Sequence, residues 1–295
     1  MAEVELLGPA QVRSLAETLD VQPTKRLGQN FVHDHGTVRR IVKLAGLSAG
    51  DHVVEVGPGL GSLTLALLEA DARVTAIEID SRLAAQLPST VAQIAPEVSA
   101  HLRVIESDAL KVDTIAGEPN ALVANLPYNV SVPVLLHLLA RVPSLRRGVV
   151  MVQREVGERL AATAGSKVYG APSVKAAWYG SWRTAGLVGR SVFWPVPNVD
   201  SVLVAFTAHE TLPGDAQLRE RVFSLVDAAF GQRRKMLRQA VAGCFADAQA
   251  ATAALETANI DPTARGEVLA LDDFVRLAQV QVSGIEDARR RGSVG

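Results

Sequence analysis

Short apolar segments alternate with helix-like segments through the middle of the chain, and this alternation constrains the fold more than any other feature. The apolar segments are rich in β-branched residues and are typical of strands: His52–Gly57, Arg73–Asp80, Leu102–Asp108, Ala121–Leu126 and Gly148–Gln153. Helices are expected between them, at Ser62–Ala70, Ser81–Leu87, Val132–Arg141 and Arg154–Ala161. Strands separated by helices form a mostly parallel sheet covered on both faces. We therefore predict a doubly wound α/β domain whose ligands bind at the carboxyl ends of the strands.

The pattern changes beyond residue 180. Two further strand candidates, punctuated by Pro195 and Pro197, would complete a seven-stranded sheet. Beyond the Pro-Gly at residues 213–214, Leu, Val and Phe recur at helical spacing, which predicts a small C-terminal all-helical domain. We expect residues 1–20 to form an N-terminal helix or loosely held arm, 21–209 the α/β domain, 210–285 the helical domain and 286–295 a basic tail.

Composition excludes several classes of protein. Hydrophobic residues make up 48% of the chain and charged residues 21%, as in ordinary globular proteins. The one cysteine, Cys244, excludes an internal disulfide, and we expect it to be a buried thiol in a reducing compartment. No apolar run is long enough to span a membrane and no signal peptide begins the chain, so we expect a cytoplasmic protein with no membrane partner. His33 and His35 lack further ligands nearby in sequence, and we expect no metal.

Polar residues and glycines follow the predicted strands at the expected ligand edge. Gly57, Gly59 and Gly61 separate the first strand from a helix, a pattern that lets a ligand approach the backbone. Glu78 lies 21 residues beyond Gly57, near the spacing at which an acid meets the ribose of a nucleotide. Asp108 follows the third strand, where it could accept a hydrogen bond from an adenine amino group or simply cap the next turn.

These strand ends together sketch an adenosine site that either a dinucleotide or S-adenosylmethionine would satisfy. The loop reads G-P-G-L-G and then Ser62, so the third glycine of the dinucleotide pattern is missing. The sequence therefore favours S-adenosylmethionine over NAD.

The segment Asn125 to Asn129, "NLPYN", ends the fourth strand beside this predicted site. The N6 amine of adenine is a poor nucleophile because its lone pair is delocalised into the ring. The amide oxygen of Asn125 and a backbone carbonyl at Leu126 or Pro127 could accept its two hydrogens and direct the lone pair toward a methyl donor. Tyr128 offers a ring on which the base could stack. An ordinary strand-to-helix loop is the alternative for so short a motif.

Seven motifs, taken in order, make the chain similar to the ribosomal RNA adenine dimethyltransferases of the KsgA type. They extend over almost the whole sequence: "KRLGQNFVHD" (Lys25–Asp34), "VVEVGPGLGSLT" (Val53–Thr64), "AIEID" (Ala76–Asp80), "SDAL" (Ser107–Leu110), "NLPYNVS" (Asn125–Ser131), "FWPVPNVDS" (Phe193–Ser201) and "FGQRRKMLR" (Phe230–Arg238). The resemblance implies a Rossmann-like, S-adenosylmethionine-dependent methyltransferase domain followed by a helical RNA- or ribosome-binding domain. It also implies dimethylation of N6 of two adjacent adenosines near the 3′ end of 16S ribosomal RNA, in the immature small subunit, with a role in subunit biogenesis.

Site residues carry over from the resemblance by position. The implied cofactor-binding residues are Asn30, Val32, Gly57, Gly59, Glu78, Ile79, Asp108, Ala109 and Asn125. The implied catalytic residues are Asn125, Leu126, Pro127, Tyr128 and Phe193, with Tyr128 and Phe193 on either side of the target base. Taken by itself, Phe193 is typical of a core residue.

A basic cluster stands out in the helical part of a chain whose formal net charge is only −1. Arg233, Arg234, Lys235 and Arg238 are expected to contact RNA phosphate, although such a run is often only a solvated helix face. The family commonly has lysine where Asn198 stands, leucine at Val32 and threonine at Met236. The change at Asn198 removes one possible phosphate contact.

Two other functions are compatible with the shared motifs. One is a methyltransferase of large-subunit RNA that confers antibiotic resistance, and the tail motifs favour the small-subunit type over it. The other is a non-enzymatic ribosome assembly or transcription factor, against which the intact Asn125, Pro127 and Tyr128 argue. We expect the protein to act as a monomer.

Overall fold

A computed structural model describes residues 4–21 and 29–292, with the side chains of these residues up to 281. Contacts divide the chain into two compact units, residues 1–158 with 181–208, and residues 159–180 with 209–295. The sequence predicts one boundary near residue 209, with 159–180 in the first domain, whereas the contacts group that segment with the helical unit. The side chains of the basic tail proposed at 286–295 lie outside the described residues.

The described residues contain nine strands and eleven α-helices. The strands are β1 Phe31–Val32, β2 His52–Val56, β3 Arg73–Glu78, β4 Leu102–Glu106, β5 Ala121–Asn125, β6 Arg147–Gln153, β7 Gly180–Val188, β8 Phe193–Trp194 and β9 Ser201–Ala208. The helices are α1 Pro9–Thr18, α2 His35–Ala45, α3 Ser62–Glu69, α4 Ser81–Ile94, α5 Ser131–Arg141, α6 Arg154–Leu160, α7 Ala171–Ala177, α8 Ala216–Gly231, α9 Leu237–Ala240, α10 Ala248–Thr257 and α11 Leu271–Gly292.

Seven of the strands form one sheet in the order β4-β3-β2-β5-β6-β9-β7, which confirms the predicted mostly parallel, seven-stranded α/β fold. β4, β3, β2, β5 and β6 are parallel, and β9 runs antiparallel to β6. Chain order reverses between β2 and β5, and such a switch point opens a crevice at the carboxyl ends of the strands. The ends of β2, β3, β4 and β5 therefore meet at one edge of the sheet.

The central strands are buried on both faces, as expected for parallel strands covered by helices. The N-terminal segment adds to this core, since Val4, Leu7, Val12 and Ala16 are all at most 3% exposed and belong to the main hydrophobic cluster. Residues 4–18 thus form a docked helix with its leading segment rather than a loose arm.

A separate two-stranded sheet, not expected from the sequence, joins distant segments of the first unit. β1 and β8 pair antiparallel, with Phe31 opposite Trp194 and Val32 opposite Phe193. The rings of Phe31 and Trp194 stack with their centroids 6.3 Å apart. This pairing places the residues around Asn30 at the ligand edge of the large sheet.

The strand β7 forms one edge of the large sheet, and an arginine covers part of it. The guanidinium of Arg40, from α2, donates hydrogen bonds to the carbonyls of Ala185 and Leu187 at 3.3 and 3.2 Å. Between them lies Gly186, whose φ of 128° disfavours other residues. A Cβ atom at Gly186 would lie 1.7 Å from the Arg40 guanidinium.

Aromatic contacts hold the second unit together. The Tyr169 ring meets the Phe230 ring edge-on at 5.8 Å, and Phe230 in turn lies 6.3 Å from Phe274. Cys244 is only partly buried, so the expectation of a buried thiol was wrong. Cys244 lines a surface pocket together with polar residues such as Ser224 and Gln281, which leaves the residue partly accessible. Across the part of the chain that the structure describes, no helix has the length and apolar character needed to cross a membrane.

Candidate active site

A cleft of about 910 Å³, including the part open to solvent, lies at the carboxyl edge of β2, β3, β4 and β5. All nine residues predicted to bind the cofactor line it: Asn30, Val32, Gly57, Gly59, Glu78, Ile79, Asp108, Ala109 and Asn125. The fold thus brings together residues that are far apart in sequence, at the edge where the strand pattern predicted a ligand.

The glycine loop between β2 and α3 takes a conformation that other residues rarely adopt. Gly57, Gly59 and Gly61 have φ values of 66°, 59° and 99°. At Gly59 a second constraint applies, because a Cβ atom there would lie 2.9 Å from the ring of Phe31. Gly59 is therefore required by the close approach of the β1 segment as well as by its backbone.

Glu78, at the end of β3, is held by three backbone N–H groups. Gly59 donates to one carboxylate oxygen at 3.1 Å, while Ile79 and Asp80 donate to the other at 2.9 and 3.0 Å. Burial raises the pKa of Glu78, and these backbone hydrogen bonds oppose that rise. A carboxylate accepts about four hydrogen bonds, so some capacity remains for a ligand hydroxyl.

A second buried acid, Glu55, lines the same cleft and was not predicted from the sequence. Its side chain is 1% exposed and accepts a hydrogen bond from the Thr64 hydroxyl at 2.7 Å. Burial is the main cause that raises the pKa of Glu55 to about 8, and the nearby Glu78 adds to the rise. Glu55 is therefore mostly neutral at pH 7. The one available signal was a lone acid inside an otherwise apolar strand.

Asp108 has the capping role considered for it and also lies where a ligand could reach it. It lines the cleft after β4, and its carboxylate also accepts from the Leu110 N–H at 3.0 Å, capping a short 3₁₀ turn. Beside it, Ala109 is buried, whereas Ile79 at the end of β3 is 55% exposed. An exposed isoleucine in a cleft provides an apolar surface for a flat ring.

Asn125 ends β5 with its side chain already oriented. Its amide nitrogen donates to the Asn30 carbonyl at 3.0 Å, which leaves the amide oxygen as the group that can accept from a ligand. The Pro127 carbonyl accepts from the Val130 N–H at 3.3 Å within a turn. Leu126 is 1% exposed and does not line the cleft, so the structure does not single out either of the two carbonyls considered from the sequence. Pro127 lines the cleft as well.

The two aromatic residues predicted to enclose the target base differ in accessibility, and neither lines the cleft itself. Tyr128 is half-buried, and its hydroxyl lies 2.6 Å from the Ser201 hydroxyl at the start of β9. Burial raises the pKa of Tyr128, which keeps the phenol neutral. Phe193 is 1% exposed and belongs to the main core, so its ring has no free face in this conformation.

The residues of the basic cluster in the second unit differ in the contacts that they make. Arg233 donates to the Tyr169 carbonyl at 3.0 Å, lies 3.5 Å from the Glu267 carboxylate and stands over the Phe230 ring. Arg234 and Lys235 are exposed, and Arg238 is partly buried with a contact to the Met236 sulfur. Arg233 therefore makes contacts within the unit, whereas Arg234 and Lys235 present their charge to solvent.

Other residues of the cleft had not been predicted from the sequence. Phe31 and Leu83 contribute apolar walls, and Ser62 contributes a buried hydroxyl. Leucines and phenylalanines carry no signal that separates a ligand wall from a core, so only the position of Ser62 after the glycine loop could have drawn attention. Within the described residues, no group of three His, Cys, Asp or Glu side chains is placed to hold a metal ion.

Two solved structures with similar folds are named as a dimethyladenosine transferase and an rRNA methyltransferase. A dimethyladenosine transferase from Plasmodium falciparum aligns with a TM-score of 0.71 and 26% identity, over 84% of this chain and 95% of that one. The 23S rRNA methyltransferase ErmE aligns with a TM-score of 0.63 and 25% identity, over 85% and 99% of the two chains.

Sequence comparison gives much higher identity. A ribosomal RNA small subunit methyltransferase A from Leifsonia xyli is 69% identical over 278 residues, which are 94% of this chain and 99% of the relative. The protein of the same name from Thermobifida fusca is 59% identical over 279 residues, 94% and 97% of the two chains. The model of the family described as ribosomal RNA adenine dimethylase matches residues 21–281. The chain belongs to the ribosomal RNA adenine dimethylase family.

Proposed function

We propose that this protein uses S-adenosylmethionine to dimethylate N6 of adenosines in the ribosomal RNA of the small subunit. Family membership supports the reaction, and the name shared by the curated relatives supports the small subunit as its location. The single observation that carries the proposal is the placement of Asn125. Its amide oxygen is an acceptor held at the end of β5, next to a cleft lined by all the predicted cofactor residues.

The residues of the cleft fit S-adenosylmethionine. Glu78 would accept from a ribose hydroxyl, and Asp108 from the adenine amino group, with Ile79 against the face of the adenine ring. The methionine part would then lie over the glycine loop. When bound, S-adenosylmethionine supplies an electrophilic methyl group on a sulfonium.

The chain's own contribution at the target is to orient an amine and not to deprotonate it strongly. The Asn125 amide oxygen and the Leu126 carbonyl would accept the two N6 hydrogens, so that the lone pair turns toward the methyl group. Tyr128 would stack on the target base, with its hydroxyl held by Ser201. Phe193 completes the stack only if its ring becomes exposed, since it is now 1% exposed.

We further infer the finer substrate and setting from the family resemblance. The targets would be two adjacent adenosines near the 3′ end of 16S ribosomal RNA in an immature small subunit, modified by a cytoplasmic monomer during subunit biogenesis. A large-subunit methyltransferase is the main alternative, because ErmE shares the fold. The higher identity to proteins named for the small subunit favours methylation of small-subunit RNA.

Methyl transfer from labelled S-adenosylmethionine tests the proposal directly. The acceptors are small subunits that lack dimethyladenosine, large-subunit RNA and single-stranded DNA, and the products are mapped by mass spectrometry. We expect label on adenosines of the small subunit. Label only in large-subunit RNA would support the alternative enzyme, and no label in any acceptor would support a non-enzymatic factor.

Replacing Asn125 by Ala should slow transfer roughly 100- to 1,000-fold, the range seen when one positioned hydrogen-bonding group is lost from an active site. Binding of S-adenosylmethionine, measured by calorimetry, should largely persist. Asn125→Asp is the matched control, because it keeps an acceptor oxygen but loses the donor to Asn30. It should retain more activity than Asn125→Ala, and equal or undiminished transfer in both variants would contradict the assigned role.

A further inference from the structure

Ser62 carries a hydroxyl that the protein itself leaves without a partner. It is the first residue of α3, is 8% exposed and lines the cleft. Its Oγ is buried and forms no hydrogen bond with any described residue. Most buried hydroxyls are satisfied, and an exception calls for an explanation such as a ligand.

The backbone around Ser62 adds further donors. α3 is eight residues long and follows Gly61, which has no side chain to cap the first N–H groups of the helix. The N-terminal N–H groups of a helix lack intrahelical partners and carry partial positive charge. The Ser62 hydroxyl therefore stands among donors suited to an anion.

Both neighbouring acids are compatible with an anion at this point. Glu55 and Glu78 are the carboxyl groups of β2 and β3 that line the cleft near the glycine loop. Burial raises the pKa of Glu55 to about 8, so its carboxyl is mostly uncharged at pH 7. The Glu78 carboxylate is occupied by three backbone N–H groups. Repulsion from Glu55 is therefore small, and the N–H donors around Glu78 offset part of its negative charge.

The geometry of the sheet identifies the anion. The adenosine part of the cofactor is assigned to the ends of β3 and β4, at Glu78 and Asp108, and the methyl group must face Asn125 on β5. The amino-acid part then lies over β2 and the start of α3, because β2 stands between β3 and β5 in the sheet. The only anionic group in that part of S-adenosylmethionine is the α-carboxylate.

We propose that the Ser62 hydroxyl donates a hydrogen bond to the α-carboxylate of the methionine part of S-adenosylmethionine, together with the first N–H groups of α3. This assignment rests on the proposed function. It makes Ser62 a residue that selects for the carboxylate, distinct from the residues that hold the adenosine.

Calorimetric titration of Ser62→Ala without RNA tests this assignment, with two ligands compared at pH 7. S-adenosylmethionine should bind roughly 10- to 100-fold more weakly than to the wild type, the loss expected for one hydrogen bond to a charged group. Decarboxylated S-adenosylmethionine keeps the sulfonium and the amine but lacks the carboxylate. The affinity for decarboxylated S-adenosylmethionine should differ between Ser62→Ala and the wild type by less than about 3-fold. This is well under the loss for a charged hydrogen bond.

Ser107→Ala is the matched control, because Ser107 also lines the cleft but its hydroxyl already donates to the Asp108 carbonyl at 3.2 Å. This variant should change the binding of the two ligands by the same factor. Thermal unfolding of ligand-free Ser62→Ala should occur at or above the wild-type temperature, because the change removes an unpaired buried hydroxyl.

The possible outcomes separate the role of Ser62 from the proposed function. A selective loss for S-adenosylmethionine supports the carboxylate contact. An equal loss for both ligands, or no loss, overturns the role of Ser62 and leaves the proposed function standing. If the wild type binds neither ligand, the proposed function itself fails.

Discussion

Glu55 links the stability of the protein to pH. Its pKa is about 8 in the folded protein against 4.5 as its ordinary value, because of burial. Between these values the folded state holds a proton that the unfolded chain has released. The contribution of Glu55 to the free energy of unfolding is therefore largest below about pH 4.5 and decreases as the pH rises toward about 8, by roughly a few kcal/mol in all.

Replacing Glu55 by Gln should remove this dependence. The glutamine can still accept from Thr64 but does not titrate, so the free energy of unfolding should fall less between pH 5 and 8 than it does in the wild type. Urea unfolding at several pH values measures the difference. Glu106→Gln, at an exposed position on β4, is the control and should leave the profile unchanged. Parallel profiles for Glu55→Gln and wild type would contradict the raised pKa.

Gly59 should tolerate alanine less well than another glycine with the same backbone conformation. Gly46 also has a φ of 59°, but a Cβ atom there would meet nothing within 4 Å. Gly46→Ala should cost about 1 kcal/mol of strain, and Gly59→Ala a further 1–3 kcal/mol because of Phe31. Denaturant unfolding of the two variants compares them. Equal losses would show that Phe31 moves aside without cost.

The sequence could predict that the polar residues following the strands lie together in the cleft, because strand ends meet at one edge in any doubly wound sheet. It could not predict that Phe31 presses on Gly59, because that contact depends on the tertiary path of the segment before α2. For Phe193, residue type alone indicated a core position, which the structure shows, whereas the family motif implied a ring beside the target base.

Among the elements, α4 departs most from its predicted length. The sequence predicts a helix that ends at Leu87, because Pro88 lacks an N–H and its ring clashes with the preceding turn. The helix nevertheless continues to Ile94 with Pro88 on its exposed side. Leu87 and Val91 are at most 1% exposed, and their burial offsets the cost of the proline. Local propensity was overridden by packing.

Replacing Pro88 by Ala should therefore stabilise the protein. The new N–H restores a backbone donor in a helix interior, and alanine is up to about 3 kcal/mol more favourable there than proline. We expect a gain of about 1 kcal/mol or more in the free energy of unfolding, measured by urea denaturation. Ser89→Ala, at the next exposed position, should change it by less than about 0.5 kcal/mol. A loss of stability in Pro88→Ala would mean that the helix depends on a bend at Pro88.

The small β1–β8 sheet could not be predicted from the sequence. Each strand has two residues, too few for any periodicity, and the partners lie far apart in sequence. Only tertiary structure can pair Val32 with Phe193. By contrast, β2 to β6 begin and end within two residues of their predicted bounds, because continuous β-branched runs mark buried parallel strands.

For the whole molecule, the division into two units could be predicted only in part. Local patterns favour contiguous domains, yet residues 159–180 group with the residues after 208. The contacts responsible are long-range, such as the Tyr169–Phe230 ring pair and the Lys175–Asp227 ion pair. No local sequence pattern in either segment indicates these contacts.

RNA binding by the second unit is tested through its salt dependence. If Arg234, Lys235 and Arg238 each neutralise a phosphate, replacing any one by Ala should reduce the slope of log affinity against log salt by about 0.7–0.9. Filter binding to small-subunit RNA at several salt concentrations measures the slope. Arg13→Ala, an exposed arginine on α1, is the control. An unchanged slope after all three replacements would refute the phosphate contacts.

Arg233 should behave differently from the rest of this cluster. Its guanidinium already contacts the Tyr169 carbonyl and the Glu267 carboxylate, so Arg233→Ala should also lower the temperature of thermal unfolding. Arg234→Ala, which removes only an exposed charge, should not. Equal unfolding temperatures for the two variants would contradict the structural role of Arg233.

The arginine that covers the edge of the large sheet limits how the molecule can associate with others. An uncovered edge strand offers its carbonyls and N–H groups to any extended chain that approaches. Arg40 occupies two carbonyls on one side of β7, and Gly186 leaves the room that its guanidinium needs. A side chain at position 186 would displace Arg40 and leave those two carbonyls free, so that a foreign strand could pair with this stretch of the edge.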